Sequence, residues 1–160
     1  MDINHGRNGS STSEDPEPSV HLVVVSSKWG VIVSAFSEAE LVYLAEGKLG
    51  RLATVDSVGL PHVVPLGWSY NRELDTIDVG GRDLAHTAKF RNAQNNPKVA
   101  LVVDDVLPPW RPRCVMIRGE AEVLDDAVGP DGQSIGSIIR ISPIQVISWG
   151  LPDDGPEQNR

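Results

Sequence analysis

The stretch LPHVVPLGWSY, residues 60–70, is an apolar run that keeps Pro61 and Pro65 inside it. Proline has no amide hydrogen to give a sheet ladder, so a strand with two of them belongs at an edge, a bulge or a barrel corner. The neighbouring runs are strands too. LGRLATVD (49–56) alternates loosely, SVG turns the chain, and LDTIDVG (74–80) follows the turn NRE. KVALVVDDV (98–106), CVMIRGEAEVL (114–124) and SIIRISPIQVISWG (137–150) complete the series, with Pro143 as a further kink. LPPWRPR reads as a stiff loop, and the polar, glycine-rich residues 125–136 as another. There is no internal repeat, and the long helices a doubly wound sheet needs are absent. The expectation is a mainly β chain with a few short helices, folded as a closed or nearly closed antiparallel barrel.

Two segments break the strand pattern. In SEAELVYLAEGK, Ser37 precedes Glu40 by three positions, the form of a capping box. Leu41 and Leu44 share its apolar side, and Gly47 sits where a C-terminal cap belongs. This predicts a helix of about three turns. In DLAHTAKFRNAQNNPKVALVVDD (83–105), a helical pattern carrying Lys89 and Arg91 halts at Asn96-Pro97, and a strand follows at once. Residues 22–33 read as one or two short strands, or as a strand ordered only on dimerisation. The first 20 residues, rich in Ser, Pro, Gly and acid, read as a disordered tail, not a secretory signal. Residues 21–151 then form one domain, and residues 152–160 a flexible tail.

A single domain of this size can stabilise itself without disulfides or metals. The one cysteine, Cys114, rules out an internal disulfide and fits a reducing, cytoplasmic setting. No run of about 18 apolar residues exists to span a membrane. The formal net charge of −8 speaks against nucleic acid and anionic membrane surfaces as partners. That charge is uneven. From Arg82 to Arg118 seven basic residues stand against three acidic ones, a net +4, which leaves −12 for the remainder. A small anionic ligand accounts for this concentration, and so does a solvated basic face.

The side chains offer little catalytic machinery. Of His5, His21, His62 and His86, the last two lie in ordered segments, and neither has a serine or cysteine in a nucleophile turn. Cys114 reads as a core residue. No ligand spacing suggests a metal. VGGR (79–82) places two glycines between a strand end and a helix start, where backbone amides can approach an anion. Arg82 adds a cation, Thr87 a hydroxyl, and Lys89 follows about one turn later; a tight turn capped by Asp83 explains the glycines equally well. The small residues Ala85 and Ala88 flank His86, Thr87 and Lys89 and permit close approach, or simply pack with Phe90. In PPWRPR (108–113), Trp110 beside Arg111 and Arg113 can flank a planar anion or plug a loop.

Taken in order, the capped helix, GRLATVDSVGLPHVVPLGW, HTAKFRNAQNNPKVALVVDD, PRCVMIRGEAEV and RISPIQVISWG resemble the pyridoxamine 5'-phosphate oxidase-like superfamily, with its split β-barrel flavin-binding fold. The closer likeness is to its actinobacterial branch of deazaflavin (coenzyme F-420)-dependent oxidoreductases, over roughly residues 36–150. Its specific parts are T-x-K with N-P after it, VPLGW, and W-x-P-R leading into RGEAEV. The resemblance implies a homodimer with cofactor clefts between subunits. It implies that Thr87 and Lys89, with Arg82 nearby, hold the cofactor phosphate, and that Val63, Val64 and Pro65 lie against its ring. Trp110, Arg111 and Arg113 would reach in from the partner chain. Flavin-using members carry an arginine near the place of His62, so this chain leans to the deazaflavin, with FMN as the alternative cofactor. The reaction implied is hydride transfer between the reduced cofactor and a small electron-poor acceptor. His86 is a candidate proton donor; a non-catalytic cofactor carrier on the same cleft is the rival from another class.

Overall fold

The computed structural model describes residues 23–27, 30–47, 49–129 and 131–152. The two expected tails, 1–20 and 152–160, fall outside these residues except for their inner boundary at Pro152. Among the described residues, nine strands and two α-helices follow in the order β1 (Val23–Ser27), β2 (Gly30–Ser34), α1 (Glu38–Glu46), β3 (Gly50–Val55), β4 (Pro61–Leu66), β5 (Ser69–Asn71), β6 (Thr76–Val79), α2 (Ala88–Asn95), β7 (Lys98–Leu107), β8 (Arg111–Val128) and β9 (Ser134–Trp149). A single 3₁₀ turn, Leu84–His86, leads into α2.

β1 and β2 pair antiparallel as a separate two-stranded sheet, so the described part of residues 22–33 holds two short strands. The other seven strands form one antiparallel sheet in the order β4-β3-β7-β8-β9-β6-β5. Its two outermost strands, β4 and β5, are joined only by Gly67 and Trp68. Laid flat, seven strands at ~4.8 Å spacing would hold those edges roughly 29 Å apart, while the three steps from Leu66 to Ser69 reach about 10 Å. The sheet therefore curls until its edges meet, which is the split barrel expected. Pro61 and Pro65 lie on the edge strand β4, opposite Val55 and Arg51, where half the amides face no partner.

The kink expected at Pro143 is a β-bulge. Arg118 pairs with Gln145 while Gly119 pairs with Pro143, so Ile144 is the extra residue and turns out to solvent. Gly119 is required there: a Cβ would run into the Ser142 carbonyl oxygen and come within 2.9 Å of Ile141 Cγ2. The expected loop at 125–136 is corrected. β8 and β9 continue as a twisted ribbon to Val128 and Ser134, through two further register shifts. Beyond the core neither face of the ribbon needs apolar residues, so alternation disappears while the ladder does not. LPPWRPR shrinks likewise to a short connection at Pro108–Trp110.

The core inside the barrel is aliphatic, with Leu52, Ile77, Leu101, Ile117, Ile139 and Ile141 fully buried; each contributes about 1.5–3 kcal/mol. The two helices attach at different places. α1 has the expected capping box: Glu40 N donates to Ser37 Oγ at 3.2 Å and Ser37 N to Glu40 Oε2 at 2.8 Å. Tyr43 and Leu44 are its buried residues that enter the core. Gly47 ends it in an extended conformation. Glycine is needed there because a Cβ would stand 2.7 Å from Val103 Cγ1. α2 buries Phe90 and Ala93, with Leu84 anchoring the turn before it.

Gly119→Ala is expected to lower stability by about 1–3 kcal/mol through overpacking at the bulge. A urea unfolding curve should show the midpoint falling with the slope unchanged.

Candidate functional site

The cationic segment is built by the turn between β6 and α2. Gly80, Gly81 and Arg82 leave the sheet exposed, and Asp83 adopts the left-handed conformation, φ 54°. The helix start is corrected here. Asp83 makes no capping bond, and Thr87 is the cap of α2, its Oγ1 accepting from Phe90 N at 3.4 Å and donating to Leu84 O at 2.7 Å. The Thr87 hydroxyl is thus already engaged. His86 is exposed, its Nδ1 lies 2.5 Å from Asp83 Oδ1, and Arg91 Nη1 donates to the His86 carbonyl at 2.9 Å.

Lys89 is half-buried, Arg82 exposed, and among the described residues neither has a carboxylate within ion-pairing distance. One turn beyond Lys89, Asn92 Nδ2 donates to the buried Thr54 Oγ1 at 3.1 Å, which seats α2 on β3. Thr54 faces His62 across the β3–β4 ladder, so the two share a face of the sheet. His62 Nδ1 is buried with no hydrogen-bond partner among the described residues. Asn92 and Thr54 are thus bonded, Lys89 lies one turn before Asn92 on α2, and His62 lies opposite Thr54 on the edge strand. On that strand Val63 is 59% exposed, Pro65 exposed and Val64 half-buried.

The other predicted residues lie elsewhere. β7 and β8 form one ribbon, with Lys98 facing Glu120 at one end and Leu107 facing Arg111 at the other. α2 adjoins the first end, where Ala121 N donates to Pro97 O at 2.7 Å. Arg111 and Arg113 belong to the second end, seven to nine residues along the ribbon, or roughly 23–30 Å away, and Trp110 lies in the connection just beyond it. Trp110 is 77% exposed at the tip, and Arg111 Nε donates to Pro108 O at 3.3 Å. Arg113 is bound within the protomer. It grips Asp105 through Nε at 2.9 Å and Nη2 at 2.6 Å, and its guanidinium lies 4.8 Å from the Tyr43 ring centre. The Arg113 hydrogen bonds hold the Asp105 carboxyl below its usual range, while burial and then Asp105 push Tyr43 up to about 12.

Two clefts flank α1, and sequence reasoning found neither. One, about 410 Å³, is bounded by Leu41, Leu44 and Ala45 of the helix and by Trp68, Tyr70 and Arg72. The other, about 300 Å³, lies between Val42, Tyr43 and Arg113. Both are built from segments distant in sequence, so no local motif announces them. Cys114 is buried, as expected, and burial followed by Asp104 pushes its thiol up to about 11. Among the described residues no three His, Cys, Asp or Glu side chains converge as metal ligands.

Residues 36–139 match the pyridoxamine 5'-phosphate oxidase family over well more than half of the chain. The chain belongs to that family. Among curated proteins it is similar to the 5a,11a-dehydrotetracycline/5a,11a-dehydrooxytetracycline reductase of Streptomyces rimosus, at 39% identity over 127 residues, 74% of this chain and 86% of the relative. Among solved structures it is similar to the conserved hypothetical protein Rv2991 of Mycobacterium tuberculosis, with a TM-score of 0.57, 21% identity, and coverage of 76% of this chain and 92% of that one. A pyridoxamine 5'-phosphate oxidase-like structure from Listeria innocua superposes with a TM-score of 0.52 at 18% identity, covering 69% and 94%. The structures establish the split-barrel fold, and the reductase relative makes this member of the pyridoxamine 5'-phosphate oxidase family an oxidoreductase.

With its thiol near 11, Cys114 carries about one part in a thousand thiolate at pH 8. A disulfide reagent such as DTNB should label it slowly in the native protein and within seconds once guanidinium unfolds the chain.

Proposed function

We propose that this oxidoreductase is a coenzyme F-420 (deazaflavin)-dependent reductase that works in the cytoplasm on small electron-poor alkenes. The name of its curated relative specifies the chemistry: a 5a,11a-dehydro compound has a carbon–carbon double bond, and a reductase adds two hydrogens across it. That relative comes from a Streptomyces, in keeping with the actinobacterial branch the motifs resemble.

The observation that carries the reading is Lys89, half-buried on α2 without a carboxylate, with Arg82 equally unpaired nearby. A cation kept partly out of water without a counter-ion is poised for an anionic ligand. The orphan His62 Nδ1 and the Asn92–Thr54 contact add polar groups on β4, α2 and β3. These residues fit the phosphorylated tail of a deazaflavin or flavin. Once bound, the reduced deazaflavin supplies the hydride. The chain's own residues do the rest. Lys89 and Arg82 neutralise the tail, Asn92 and Thr54 seat the helix on β3, and Val63 and Pro65, which share the outer face of β4, offer an apolar surface for a ring, with Val64 between them turned inward beside Leu52. His86, braced by Asp83, is the side chain at the helix start able to hand over a proton, and water is the alternative source.

The reading includes a second copy. Val102, Met116 and Ile147 lie opposite one another on the outer face of β7, β8 and β9, half-buried, with the neutral Arg51–Asp104 pair beside them. A two-fold axis through this row would reverse the β7–β8 ribbon, bringing the Trp110–Arg111 tip of one copy toward α2 of the other. That arrangement accounts for why the cofactor residues of one chain lie in two groups. Residues 21–151 act in it as one cofactor-binding domain.

Equilibrium titration of the purified protein with coenzyme F-420 and with FMN, followed by acceptor screening with the reduced deazaflavin, tests the proposal; tight FMN binding without deazaflavin affinity would sink it. Lys89→Ala should weaken deazaflavin binding by roughly 1–3 kcal/mol, the range for a lost charge-assisted hydrogen bond, as read from cofactor fluorescence. Met116→Arg should yield a folded monomer by size-exclusion chromatography with light scattering, with cofactor affinity lost alongside the dimer.

A further inference from the structure

We infer that the 410 Å³ cleft between α1 and the Trp68–Arg72 segment is the acceptor site, and that it takes a planar, fused-ring organic anion. The inference rests on the reductase reading above, and it adds the place and the chemical class of the substrate.

The cleft has one rigid flat wall. The Trp68 ring lies directly over two bare backbones: a Cβ on Gly50 would stand 2.9 Å from its Cδ1, and a Cβ on Gly47 would stand 3.4 Å from its Cζ2. The two missing side chains let the indole lie directly against the backbone. Leu41, Leu44 and Ala45 of α1 supply the remaining apolar lining. A slot with an aromatic face on one side and a helix on the other suits a flat ring system, which stacks on the indole. Its volume falls within the ~300–1,000 Å³ of ordinary ligand pockets.

The polar end has one sign of charge. Arg72 is the single formally charged residue of the lining, and among the described residues no carboxylate lies within ion-pairing distance of it. Tyr70 does not compete for it as an anion. Its hydroxyl donates to Asp75 at 2.6 Å, and burial, then that bond, push its pKa up to about 12. In a chain of net charge −8, a half-open cleft with a mixed polar and apolar lining, whose one charge is the exposed and unpaired Arg72 guanidinium, favours a negatively charged or enolate-bearing molecule.

The cleft adjoins the end of the strand proposed for the cofactor ring. β4 ends at Leu66, and the chain enters the cleft wall two residues later at Trp68. The apolar strand offered to the cofactor ring and the slot offered to the acceptor are thus about 10 Å apart along one continuous stretch of backbone. Neither the cation helix nor Trp110 belongs to the lining, so cofactor tail and acceptor occupy separate ground.

Tetracycline serves as the probe, being a fused-ring molecule with ionisable enols that resembles a reduced product. Calorimetric titration into the full-length wild-type chain, Arg72→Gln and Ala45→Phe, with a parallel deazaflavin titration of each, decides the matter. Wild type should bind tetracycline, both variants should lose about tenfold or more in affinity, as for one charge-assisted contact or a filled slot, and all three should bind deazaflavin alike. No tetracycline binding by wild type, equal binding by the variants, or loss of deazaflavin binding in step with tetracycline would each overturn the assignment. A wild type that binds tetracycline in this way but ignores deazaflavin would uphold the slot and remove the cofactor reading instead.

Discussion

The contact of Trp68 with the bare backbones of Gly47 and Gly50 is the closure on which the architecture depends. A seven-stranded sheet with its edge strands joined by Gly67 and Trp68 must curl, and the indole occupies the seam where the curl completes. The same ring ties the end of α1 to the start of β3 and to the entry of β5. From this closure follow the sealed aliphatic core, the seat of α1, and the cleft beside it. α2 is set by a different device, the Thr87 cap and the Asn92–Thr54 bond, which seats it on β3.

Sorting the cations by what neutralises them picks out those that fix strand register. Arg51, Arg113 and Arg140 are matched by Asp104, Asp105 and Asp78, each across neighbouring strands. The Arg140–Asp78 pair is the most enclosed, with 20% and 12% of its side chains exposed, and Asn71 adds a third bond to the same carboxylate. Such pairs fix strand register. Arg72, Arg82, Lys89, Arg91, Lys98, Arg111 and Arg118 have no such match among the described residues, and of these Arg82, Lys89 and Arg72 stand beside the helix start and the cleft where ligands are proposed to arrive.

Much of this was legible because the signals are local. Pro61 and Pro65 announced an edge strand, Ser37 and Glu40 a capping box, and Pro143 an irregular ladder; each depends on residues a few positions apart. The misread parts depend on longer range. Residues 125–136 lack alternation because the ribbon extends past the core, so polarity there mimics a loop. Asp83 looked like the cap, but a 3₁₀ turn anchored by Leu84 moves the helix start to Thr87. Arg113 looked available for a ligand, and only the β7–β8 register reveals Asp105 opposite it. The cleft around Trp68 was invisible for the same reason: its walls come from opposite sides of two intervening strands.

The two prolines of β4 have a consequence beyond the barrel. An uncovered strand edge is a template on which other chains can add strands and grow into aggregates. Along β4 two of six residues bring no amide hydrogen, and the short β5 offers three residues in all. Neither margin can propagate a ladder for long. Growth by strand addition is thereby blocked at both margins of the seven-stranded sheet.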